Sequence, residues 1–114
     1  MPWVAIWLLI DIAGVNASSP DHLKIVEASS SYDWPVVEAL SVAWCESQFN
    51  RRAYNGVDHS VWQINQDWWG DRIFGKRMWG DRYEIHTNAA MAYHVWKAGG
   101  RSFKWWACGS HTRR

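Results

Sequence analysis

Seven of the nine residues from Val36 to Trp44 are apolar: Val36, Val37, Ala39, Leu40, Val42, Ala43 and Trp44. At 3.6 residues per turn this run gives a helix with a broad apolar surface, and such a helix has to pack into a core. The pattern predicts a helix from about Trp34 to Gln48, with Asp33 as its cap and Pro35 in the early turn, where proline is tolerated. Glu46 then falls on the same side as Ala39, Val42 and Ala43, aimed at the core. Burial against apolar groups raises a carboxylate's pKa, and a raised pKa is what a general acid needs at neutral pH. The alternative is a glutamate at a fraying helix end, or one paired with Arg51 or Arg52.

About a dozen residues later the chain reads Val61-Trp62-Gln63-Ile64-Asn65, with Asp58-His59-Ser60 just before it. Glu46-Ser47, then Asn50-Arg51-Arg52-Ala53, then Ser60-Val61-Trp62-Gln63-Ile64 follow in that order. This arrangement resembles the lysozyme superfamily, in particular the soluble lytic transglycosylases, which carry Glu-Ser, Asn-x-x-Ala and Gly-Leu-x-Gln-Ile. Glu46-Ser47-Gln48-Phe49-Asn50 and Gln63-Ile64-Asn65-Gln66-Asp67-Trp68-Trp69 are also similar to segments of animal-type lysozymes. Asn88-Ala89-Ala90-Met91-Ala92-Tyr93, Gly99-Gly100 and Trp105-Trp106 extend the likeness to small phage and bacterial members, so that it covers Leu23 to Cys108. The chain departs from the pattern at one place: either Ser60 stands where the family carries glycine, which usually serves a sharp bend or a close approach to ligand, or Asp58-His59-Ser60-Val61 aligns with a longer family segment and Gly-Leu is missing.

The resemblance implies a mainly α, α+β lysozyme-like fold with a short irregular β-hairpin beside a cleft. It implies cleavage of the β-1,4 bond between N-acetylmuramic acid and N-acetylglucosamine in peptidoglycan. Glu46 would be the acid, with Asp58, five residues before Gln63, as the candidate second carboxylate. Next to Asn55-Gly56, Asp58 also reads as a turn residue. With Asp58 facing Glu46 the reaction is hydrolysis. Without it the path is transglycosylase-like, the substrate's own C6 hydroxyl attacking and Glu46 acting as base. Ser47, Gln63, Asn65, Trp68, Trp69 and Tyr93 are the expected substrate-binding positions, and Asn88 matches a position that holds the cleft's shape. Two other classes stay open: a non-catalytic peptidoglycan-binding domain and a structural piece of a phage particle.

Eleven tryptophans in 114 residues are far above ordinary usage. Trp44 and Trp96 lie on apolar helical faces and read as core. Trp68-Trp69 and Trp105-Trp106 are adjacent pairs in loop-like sequence and cannot easily all be buried. Flat aromatic faces suit the apolar faces of sugar rings, although filling a small core is an equal reading for Trp68 and Trp69. A net charge of +1 gives no broad electrostatic case for nucleic acid, and Arg113-Arg114 is too short to change that. Peptidoglycan glycan strands are the expected partner, and the chain reads as a monomer. No cofactor and no metal are expected, since the five histidines are scattered and no Cys-x-x-Cys is present; His59 reads as a cleft residue.

Cys45 and Cys108 lie roughly 60 residues apart. Bonded, they would stabilise a small exported domain by roughly 4 kcal/mol in the chain-entropy model; unbonded, they would be two buried thiols. Residues 1–20 read as a signal peptide or an N-terminal extension packed on the domain. The apolar run Val4 to Ile10 is too short to span a membrane, so no stable membrane insertion is expected. Val15-Asn16-Ala17 has small residues at cleavage-site spacing, but Asp11 interrupts the apolar stretch and no basic residue precedes it. A secreted, periplasmic or phage-associated protein fits these features. Residues 21–114 form the lysozyme-like domain, beginning with a helix at Ser19-Pro20-Asp21 that Ser29-Ser30-Ser31 breaks. Tyr54 to Asn65 folds back as a loop or small hairpin with Asn55-Gly56 as its turn. Thr87 or His86 precedes a last helix to about Ala98, ended by Gly99-Gly100. Trp69-Gly70-Asp71-Arg72 recurs as Trp79-Gly80-Asp81-Arg82, too short a period for a repeat array.

Overall fold

The first helix starts where Ser19 can cap it. Its hydroxyl accepts the His22 N–H at 3.3 Å, Pro20 fills the first helical position, and Asp21 sits in the first turn. In this computed structural model, which describes residues 14–109, that helix is α1 (Pro20–Ser29). It buries Ile25, Val26 and Ala28. The apolar run Val4 to Ile10 and Arg113-Arg114 lie outside the described residues. Val15 packs against the core, and the Asn16 N–H donates to His22 Nδ1 at 3.0 Å.

Helix α2 (Val36–Ser47) begins later than its apolar pattern suggests, with Pro35 at the cap position and no side-chain cap. Asp33 does not cap it. Trp34 precedes a proline and is therefore biased towards extended backbone. Its buried indole N–H also donates to the Ser29 carbonyl at 2.7 Å, which fixes the chain between the two helices. The Asp33 carboxylate instead accepts from the Tyr93 hydroxyl at 2.5 Å and pairs with Arg101 at 3.3 Å. Along α2, Ala39, Leu40, Val42 and Ala43 are fully buried. The helix ends on Gln48, whose left-handed backbone (φ 52°) turns the chain so that Phe49 packs on Trp44.

A small antiparallel hairpin follows. β1 (Asp58–His59) pairs with β2 (Ile64–Asn65), in the register Asp58 to Asn65 and His59 to Ile64. A further bridge joins Tyr54 to His59, so Asn55-Gly56 does lie in a turn: the Asn55 side-chain oxygen accepts the N–H groups of Val57 and Asp58 at 3.0 and 2.8 Å. Ser60 adopts a left-handed backbone, φ 70°. The bend expected of glycine is therefore kept by a serine, at a cost on the order of 1–2 kcal/mol. The Ser60 hydroxyl and N–H hold it, donating to the carbonyls of Arg51 and Ala53, each at 2.7 Å.

Two five-residue helices come next, α3 (Gly70–Phe74) and α4 (Lys76–Gly80), hinged at Gly75 with φ 82°. The repeated Trp-Gly-Asp-Arg copies are not equivalent, because Gly70 opens α3 whereas Gly80 closes α4. Helix α5 (Ile85–Ala98) starts before both expected positions, His86 and Thr87, because Glu84 caps it by accepting the His86 and Thr87 N–H groups at 3.0 Å. Its buried residues, among them Ile85, Asn88, Ala89, Ala92, Val95 and Trp96, recur at three- and four-residue spacing. It packs on α1, which in turn packs on α2.

Trp62 sits at the centre, with no exposed surface. Its indole N–H donates to the Ala39 carbonyl of α2 at 3.0 Å, and its backbone N–H to Asn88 Oδ1 of α5 at 2.8 Å. Its own carbonyl accepts the Trp106 indole N–H at 2.7 Å. One residue thus ties α2, the hairpin, α5 and the C-terminal segment together; Trp34 packs on it, and Trp96 and Phe103 pack on Trp34 and on each other. Among the described residues the architecture is mainly α with one short antiparallel pair. No helix among the described residues is long and apolar enough to cross a membrane.

Candidate active site

The C-terminal end of α2 carries Glu46 into a cleft of about 590 Å³. The hairpin contributes Asp58, Gln63, Ile64 and Asn65, and the segment after it Trp68 and Trp69. Val95 of α5 and the stretch Trp105, Trp106 and Ala107 complete the lining.

Glu46 is half-buried, and among the described residues it makes no ion pair. Arg51 pairs with Asp21 at 3.3 Å instead. Burial pushes the Glu46 carboxyl above its ordinary value, and the nearby Asp58 charge pushes it the same way. The Cys108 N–H, which donates to Glu46 Oε2 at 3.2 Å, pulls in the other direction more than Asp58 pushes, without cancelling the effect of burial. That contact has a covalent cause. Cys45, the residue before Glu46, is bonded to Cys108 across 63 residues, with the two Cα atoms 5.9 Å apart, an ordinary disulfide span. The bond therefore anchors the C-terminal segment over the end of α2.

Asp58 is both a turn residue and a cleft residue. Its carboxylate accepts from the Asn55 side-chain amide at 2.8 Å, and it lines the same cleft as Glu46. Gln63 reaches the cleft from a left-handed backbone, φ 50°, while its amide nitrogen donates to the Ser60 and Ala53 carbonyls at 2.8 and 3.3 Å. Asn65 Oδ1 accepts the Trp68 N–H at 3.0 Å, which sets the start of the aromatic segment. Each tryptophan pair splits. Trp68 is 74% exposed and Trp105 54%, whereas Trp69 packs on Phe74, His94 and Trp105, and Trp106 is buried.

Three expected site residues stand off the cleft. Ser47 lies one position round the helix from Glu46, and its hydroxyl donates to the Val61 carbonyl at 2.7 Å, tying α2 to the hairpin. Tyr93 is two residues from the cleft-lining Val95, roughly 200° round the helix. Its ring stacks on Tyr32 and Trp96 and its hydroxyl is bound to Asp33. His59 is 2% exposed and points behind the hairpin, because alternation along β1 gives the cleft side to Asp58. Val95 and Ala107 carry no signal of chemistry in the sequence, and Trp105 is marked only by its neighbour.

No family model, no curated protein and no solved structure matches the chain.

Proposed function

We propose that this chain is a lysozyme-like enzyme that cleaves the β-1,4 bond between N-acetylmuramic acid and N-acetylglucosamine in peptidoglycan, with Glu46 as the general acid. The observation that carries the proposal is a half-buried carboxyl, raised in pKa and without a cationic partner among the described residues, in a cleft rimmed by exposed indoles. A carboxyl with a raised pKa keeps its proton to higher pH than an ordinary one, and that proton can be donated to a glycosidic oxygen. Trp68 and Trp105 offer the flat apolar faces on which sugar rings stack. The disulfide suits an exported protein acting on a wall.

In the transglycosylase-like path, Glu46 protonates the leaving oxygen as the glycosidic bond breaks. The resulting carboxylate then takes the proton of the substrate's own C6 hydroxyl as that oxygen closes on the anomeric carbon. No water is consumed, and the product ends in an anhydro sugar. Asp58 serves this path through its charge, which helps keep the proton on Glu46. A second reading, hydrolysis, is favoured by the presence of Asp58 in the same cleft, where a second carboxylate would stabilise the oxocarbenium-like transition state and water would add. Mass spectrometry of fragments released from purified wall separates the two. Anhydro-muramic ends support the first path and reducing muramic ends the second. Binding to insoluble wall with no release of sugar would overturn both.

A further inference from the structure

Behind the hairpin, on the face opposite the cleft, lies a polar cluster built around His59. Its Nδ1 is 2.6 Å from the Tyr83 hydroxyl and accepts the Arg82 Nε–H at 3.1 Å. Its Nε2 is 2.9 Å from Gln66 Oε1. An arginine can only donate, so Nδ1 must be the bare nitrogen, and the proton sits on Nε2 facing the Gln66 oxygen. The ring is packed between Tyr54, stacked at 4.7 Å, and the edge of Trp79 at 5.1 Å. Arg82 is itself fixed: its guanidinium lies over the Trp79 and Tyr83 rings and donates to the Trp79 carbonyl at 2.9 Å. Asn88 of α5 donates to the His59 carbonyl at 3.3 Å.

A two-residue strand pair has little stability of its own. This one is gripped from behind by the α4–α5 connection, through a residue adjacent to Asp58. We propose that His59 is a positioning residue: as the neutral Nε2–H tautomer it locks the hairpin to Arg82 and Tyr83, and so holds Asp58 near Glu46. The inference rests on the reading of Glu46 as the acid and adds the part that keeps the Asp58 charge in place beside it.

The charges facing His59 agree with this. Burial opposes a second proton on the ring, as does Arg82, while Gln66 and the Asp58 charge favour one. The balance holds the imidazole below its ordinary value, hence neutral where free histidine begins to charge. Protonation would place an N–H against the Arg82 guanidinium and remove its acceptor.

The test uses ¹⁵N and ¹³C NMR on the full chain, beside wall digestion. In the wild type, His59 should show a bare Nδ1 and a protonated Nε2, and should stay neutral to a lower pH than free histidine does. In His59→Phe, which keeps a ring but no nitrogen, the Glu46 titration midpoint should fall as Asp58 drifts away. Wall-cleavage kcat should drop roughly tenfold to hundredfold with KM little changed, as small misplacements at a site do. Should that variant fail to fold, Tyr83→Phe removes one hydroxyl from the half-buried ring and should shift the Glu46 midpoint the same way by less. A proton on Nδ1, or folded variants in which Glu46 titrates as in the wild type, would overturn the proposal. Because the titration needs no substrate, it decides the role of His59 even if the wild type cleaves no wall, a result that would end the enzymatic reading alone.

Discussion

Replacing both cysteines, Cys45→Ser with Cys108→Ser, should cost this domain a large share of its stability. The bond closes a loop of 63 residues. In the chain-entropy model, closing a loop of that length removes about 14 cal/mol/K from the unfolded ensemble, or about 4.3 kcal/mol at 25 °C. Small domains are stable by only about 5–15 kcal/mol, so the loss is roughly a third to most of the total. The segment that is released is also the one that carries Trp106, whose indole is bonded to the Trp62 carbonyl, and the N–H that reaches Glu46. Urea unfolding followed by tryptophan fluorescence, with wild type and variant both made in an oxidising compartment, measures the difference. A loss of about 3–5 kcal/mol is expected. A loss under about 1 kcal/mol, with an unchanged urea dependence, would show that native packing alone holds the C-terminal segment and would refute the reasoning.

Asp58→Asn should impair wall cleavage much less than Glu46→Gln. It should also move the alkaline limb of the pH–rate profile to lower pH: the Asp58 charge raises the Glu46 pKa, its removal lowers it, and the acid form required for donation is then lost earlier. An unmoved limb would mean that Asp58 does not act on Glu46. Trp68→Ala should leave urea stability nearly unchanged, because the side chain is 74% exposed, and should raise KM for glycan strands roughly 2- to 10-fold, the value of one stacking contact. Trp62→Ala should instead cost about 3–5 kcal/mol as a core truncation. Equal stability effects of these two variants would contradict the division of tryptophans between rim and core.

Where a residue's role depends on local pattern, the sequence makes it legible. The start of α1 follows from Ser19, Pro20 and Asp21, and the buried side of α2 from the spacing of Ala39, Leu40, Val42 and Ala43. The turn at Asn55-Gly56 follows from the Asn55 side chain. What depends on chain return is hidden. Asp33 has a cap's position and a cap's chemistry, but Tyr93 and Arg101, some 60 residues on, claim its carboxylate. Helices α3 and α4 are too short to show a period. Likeness to a motif puts Tyr93 in the cleft, and its two-residue offset from Val95 turns it out again. His59 and Asp58 are neighbours with opposite fates, which only the strand register decides. The positive backbone angle at Ser60 is likewise invisible, since a serine does not advertise a glycine's conformation.

The central claim is that Glu46 is the proton donor for glycan cleavage. It is tested most directly by incubating purified peptidoglycan with the wild type and with Glu46→Gln, and measuring soluble sugar release beside circular dichroism. Glutamine keeps the shape and cannot donate the proton, so release should fall by roughly 10²- to 10⁴-fold with an unchanged spectrum. Near-normal release by a folded Glu46→Gln, or no release by the wild type on any wall, would contradict the account.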